Sequence, residues 1–146
     1  VVVALDGHPS QPRGALRVLD RVTGVWDGPG LGRVRAEMRV DPDAWYFKAH
    51  FFQDPVMPGS LGLEAMHQLL RFWMVHTGQV TGWSHFEAVS ERQTWTYRGQ
   101  VRPQNRLVVV VVDVTACVDG HATADASLWV DGQRIYAATG IGMRAR

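Results

Sequence analysis

The chain has 146 residues, enough for one domain with a real core, and its 46% hydrophobic and 20% charged content is that of an ordinary globular protein rather than a disordered one. A formal net charge of +1 offers no basis for nucleic-acid binding. The single Cys117 excludes an internal disulfide framework and fits a reducing, cytoplasmic setting, and no stretch reaches the roughly 18 apolar residues that a membrane span requires.

Residues 1–15, with "DGHPSQPRG" at 6–14, read as a linker or N-terminal segment, and 16–146 as a single domain. No signal peptide is visible. The chain starts without methionine, which fits a domain excised from a longer protein or a trimmed chain. "LRVLDRVTGVW" (16–26) reads as a strand and "DGPGLG" (27–32) as a hairpin-type turn. In "RVRAEMRV" (33–40) Val34, Ala36, Met38 and Val40 alternate with Arg33, Arg35, Glu37 and Arg39, the period of a half-buried antiparallel strand.

The segment 60–78, "SLGLEAMHQLLRFWMVHTG", predicts a helix that is apolar nearly all round and therefore buried, with Ser60 able to cap its start and Gly78 its end. Strand signals follow at 83–89, 92–100, 106–118, 122–130 and 133–143, punctuated by the turn pairs Asp119-Gly120 and Asp131-Gly132. One long buried helix among many antiparallel strands predicts an α+β fold: a curved antiparallel sheet wrapped around a central helix, the hotdog architecture.

The chemistry concentrates in "AHFFQDPVMPGSLGLEAMHQLL" (49–70). His50 could act as a base. Glu64, on a helix with no clear solvated face, could serve as a general acid, and Gln68 lies four residues on, where it can hydrogen-bond and orient that carboxyl group. Pro58 and Gly59 stand just before the helix, whose first amides are unpaired and carry the positive end of its dipole. Without a side chain, Gly59 would let a carbonyl oxygen approach those donors. A base, an acid and carbonyl-directed amides suit removal of a proton α to a thioester with loss of a β-hydroxyl as water.

Competing chemistries are weaker. Glu64-x-x-His67 is half of a di-iron carboxylate motif without its second copy. There is no HExxH, and with only His50 and His67 nearby a zinc site lacks ligands. Ser60 sits in P-G-S-L-G, which lacks the first glycine of G-x-S-x-G. Trp45, Trp73, Trp95 and Trp129 read most simply as core.

"HFFQDPVMPGSLGLEAMHQL" closely resembles the signature of the β-hydroxyacyl-ACP dehydratases. It is nearest the 3-hydroxydecanoyl-ACP dehydratase/isomerase branch and the dehydratase domains of polyunsaturated fatty acid synthases. "VLDRV" (18–22), "VDPDAWYFKAHF" (40–51), "GQVRP" (99–103) and "VDGQRIYAA" (130–138) extend the likeness over most of the chain. The resemblance implies His50 as catalytic base, Glu64 as catalytic acid and Gly59 as oxyanion amide, flanked by Pro58 and Ser60. It also implies a site shared between two protomers or neighbouring hotdog domains, and no metal or organic cofactor. The implied substrate is a (3R)-hydroxyacyl chain on the phosphopantetheine arm of an acyl carrier protein, and Arg71, Arg98, Arg102 and Arg106 are candidates to meet that acidic partner. The isomerising branch carries aspartate, cysteine and tryptophan where this chain has Glu64, Ser60 and His67, so dehydration without double-bond isomerisation is expected. The rival expectations are a non-catalytic acyl-binding or structural hotdog domain and an acyl-thioesterase.

Overall fold

Period-two burial builds most of the sheet. In the computed structural model, which describes residues 2–49, 54–89 and 92–146, strand β3 (Gly32–Arg39) turns Val34, Ala36 and Met38 inward and its arginines outward. Strand β6 (Leu107–Val118) does the same with Val108, Val110, Val112 and Val114, and β7 (His121–Val130) with Ala122, Ala124, Ala126, Leu128 and Val130. Strand β2 (Arg21–Trp26) precedes β3, and β8 (Gln133–Ala145) follows β7. The hairpins β6–β7 and β7–β8 close on Asp119-Gly120 and Asp131-Gly132, whose paired positive φ values (50° and 75°, 49° and 85°) are those of type I′ turns.

Two short strands, β4 (Phe86–Val89) and β5 (Thr94–Tyr97), pair with successive parts of β8 and form one interrupted edge. A two-residue strand, β1 (Val3–Ala4), pairs with β2 at the other. The order is β1-β2-β3-β6-β7-β8-β4, antiparallel throughout. The sheet curls around α2 (Gly59–His76), which contacts β3, β6, β7 and β8. This is the hotdog fold. Ala65, Met66, Leu69, Leu70, Phe72 and Met74 of α2 are fully buried in the single core, so the helix is enclosed on most sides as its composition demands.

Several boundaries differ from expectation. The strand expected from residue 16 starts at Arg21, because Gly14–Leu16 form a 3-10 turn and the next residues bond to a helix side chain rather than to a strand. The chain also forms a short helix, α1 (Trp45–Ala49), that the pattern did not signal. Ser60 does not cap α2: the helix begins at Gly59 with Pro58 in the cap position, no side chain caps it, and Ser60 is exposed within the first turn. Gly78 does end α2. With φ +74° it donates to the Val75 carbonyl while Gln79 donates to that of Met74, a Schellman closure. The segment read as a linker packs down at Leu5, which is completely buried, and at Gln11.

Candidate active site

Glu64 lies in the second turn of α2, half-buried, with Gln68 one turn further on. Gln68 is fully buried and uses both ends of its amide. Its Oε1 accepts from the Val18 amide at 2.9 Å, and its Nε2 donates to the Leu16 carbonyl at 2.8 Å and to Glu64 Oε1 at 3.4 Å. The side chain thus acts as an extra rung joining helix and N-terminal segment, and the Gln11 amide adds a 2.8 Å bond to the Gln68 carbonyl. The sequence pairing of Gln68 with Glu64 is present; its anchoring to Leu16 and Val18 spans too many residues to be read from local pattern.

The neighbouring turns are strongly desolvated. His67 is buried, and its Nδ1 donates to the Leu63 carbonyl at 3.0 Å, which leaves Nε2 without a donor among the described residues. Burial holds the His67 pKa below the ordinary value of 6.5, against the smaller opposing pull of its Leu63 hydrogen bond and the Glu64 charge. Burial also lowers the Arg71 pKa, with Glu64 pulling it back up; the Arg71 guanidinium lies 5.8 Å from the centre of the Phe86 ring.

Gly59, by contrast, faces β5 and β8. A Cβ on Gly59 would lie 3.0 Å from the Trp95 ring and 3.8 Å from the Tyr136 hydroxyl, and one on Gly62 would lie 2.4 Å from the Tyr136 ring. The space expected to stay open beside Gly59 is therefore walled by two aromatics. Trp95, read as core, is only half-buried and lies at this wall. Tyr136, a tyrosine in an alternating strand, reads as packing from sequence alone. The available signal was the pair of glycines three apart, which marks a helix face pressed against something broad.

Five residues separate Gly59 from Glu64, which sets them roughly 140° apart around the helix. One faces Trp95 and Tyr136, the other the segment of Leu16 and Val18. Gly59 and Glu64 thus lie on different faces of α2. His50 lies outside the described residues. Beside the Glu64 face, a groove of about 320 Å³ is lined in part by Val18, Met38, Trp45, Tyr46 and Leu61. Of the candidate carrier-facing arginines, Arg102 pairs with Asp54 at 2.5 Å, while Arg106 joins Arg21 and Arg39 along a groove of about 610 Å³. A cleft of about 400 Å³ on the outer sheet face, around Arg33, Arg35 and Trp129, is remote from α2 and holds none of these residues.

The model of the FabA-like domain matches residues 11–139. The chain belongs to the FabA-like domain family. Among solved structures, this FabA-like domain is similar to the dehydratase heterocomplex ApeI:P from Xenorhabdus doucetiae, with TM-score 0.76 and 12% identity over 99% of this chain and 93% of that one. It is also similar to a hypothetical thioesterase with coenzyme A from Streptococcus pneumoniae, with TM-score 0.59 and 11% identity over 86% of this chain and 84% of that one. The protein smu.793 from Streptococcus mutans, bound to acetyl CoA, aligns with TM-score 0.58 and 13% identity over 86% of each chain. At such identities these likenesses establish the shared fold.

Proposed function

We propose that this FabA-like domain dehydrates (3R)-hydroxyacyl thioesters carried by an acyl carrier protein to trans-2-enoyl thioesters. The observation that carries the reading is the Glu64 carboxylate, held on a buried helix by a glutamine locked at both ends. In this reading His50 removes the proton at C2, and charge gathering on the thioester oxygen is met by the Gly59 amide at the positive end of α2. Glu64 protonates the β-hydroxyl, the C3–O bond breaks, a C2–C3 double bond forms and water leaves. No metal or organic cofactor is needed, because every step is a proton transfer or the loss of water.

The opposed faces of α2 support a paired assembly in which the Glu64 face of one hotdog meets the Gly59 face of another. The partner would be a second copy or a neighbouring domain, in keeping with the heterocomplex named for the Xenorhabdus structure. Arg106 lies beside Arg39 in a groove where Glu37 pairs with Arg21, and it is a better contact for an acidic carrier than Arg102, which Asp54 partly neutralises.

Glu64→Gln and His50→Ala should each lower turnover of (3R)-hydroxydecanoyl N-acetylcysteamine by about 10²–10⁴-fold with the fold intact, and wild-type-like rates in either would end this reading. The thioesterase neighbours favour hydrolysis as a second reading. Release of free thiol from an acyl-CoA, with no enoyl product, would establish it. Conversion of trans-2-decenoyl thioester to the cis-3 isomer would overturn the expectation of dehydration alone.

A further inference from the structure

Tyr136 stands on β8 and is 1% exposed, yet its hydroxyl has no hydrogen-bond partner among the described residues. Such a group is costly to bury unless something completes it. Its ring lies against Gly62, and its oxygen is 3.8 Å from where a Cβ on Gly59 would be. Trp95 and Tyr97 cross the ring edge-on at 6.0 and 6.1 Å and fix its direction. The hydroxyl therefore ends at the first turn of α2. There the Leu61 amide closes on the Pro58 carbonyl, but the amides of Gly59 and Ser60 have no acceptor within the helix. Burial, with a smaller contribution from Tyr97, raises the Tyr136 pKa, so the phenol remains a protonated donor across the neutral range.

We propose that the Tyr136 hydroxyl donates a hydrogen bond to the thioester carbonyl oxygen of the bound acyl group, as a second donor beside the Gly59 amide. This rests on the dehydratase reading for its chemistry, and on the buried, unpaired hydroxyl for its geometry. Charge grows on that oxygen as the proton leaves C2, so a preset donor acts most strongly in the transition state. The role also explains Gly62, since any side chain there would push the tyrosine ring away from the helix start.

Tyr136→Phe in the full chain keeps the ring and removes only the hydroxyl. If the residue merely fills space, the change leaves activity alone. As a carbonyl donor, its loss should lower kcat by about 10²-fold while KM and the unfolding midpoint stay close to wild type. The hydrogen bond itself can be read by infrared spectroscopy of decanoyl N-acetylcysteamine, labelled with ¹³C at the carbonyl and bound to the protein. Tyr136→Phe should move the carbonyl stretch to higher frequency. An unchanged frequency overturns the proposal whatever happens to kcat. A Tyr136-dependent frequency in a protein that dehydrates nothing upholds the donor and removes the dehydratase reading, whereas a protein that binds no thioester overturns both.

Discussion

Gln68 ties α2, the N-terminal segment and the Glu64 carboxylate together through one side chain. Replacing it with leucine would remove the part-buried hydrogen bonds to the Val18 amide and the Leu16 carbonyl and release Glu64. Each hydrogen bond lost costs about 0.5–1.5 kcal/mol. Gln68→Leu should therefore lower the urea midpoint clearly, and turnover should fall with it. His67, next to it in sequence, gives a pH signature. Its folded-state pKa is lowered by burial, as is that of His8, where His76 adds a repulsive contribution. The unfolded chain then takes up the proton first. Stability from these residues is complete above the unfolded pKa of about 6.5 and drains away as pH falls through the folded values. Urea midpoints measured from pH 7.5 downward should decline, and His67→Leu should flatten that decline.

On the scale of elements, the first turn of α2 is the most constrained. Gly62→Ala would place a methyl group 2.4 Å from a Tyr136 carbon, and the ring, packed against Trp95 and Tyr97, has little freedom to yield. Overpacking of this kind costs about 1–3 kcal/mol despite the better helix propensity of alanine, so a thermal melt should show a lower midpoint. The strands β3, β6, β7 and β8 were legible in the sequence because alternation and Asp-Gly turns are local signals. The helix was legible because nineteen residues with hardly a polar face, 60–78, have no other soluble home. What stayed hidden depends on contacts distant in sequence. The strand start was delayed to Arg21 by a glutamine 50 residues from its Val18 partner, and one of the two bulges in β8 is held by Asp125 accepting from the Gly140 amide. In the candidate site, Glu64 and Gln68 announced themselves by helical spacing, whereas Tyr136 reaches Gly59 only through the curl of the sheet.

For the whole molecule, the decisive property is that Gly59 and Glu64 lie on different faces of one helix, so that in the proposed reaction each would serve a different cavity. Mixing His50→Ala with Glu64→Ala chains should restore part of the lost activity if cavities form between protomers. Absence of rescue, once exchange of subunits is demonstrated by mass spectrometry, would mean that each chain builds its site alone.

In the proposed pair, α2 would be a rod that reaches into two chambers from opposite sides and ties them together mechanically. If α2 rolled about its axis to bring Glu64 forward in one cavity, the same motion would swing Gly59 out of line in the other. The bonds from Gln68 to Leu16 and Val18, with Gln11 gripping the backbone, resist that torsion. With the brake in place, a pair should bind two equivalents of an enoyl thioester with equal affinity by calorimetry. In Gln68→Leu the first ligand would be free to turn the helix, and the second would then bind more weakly than the first.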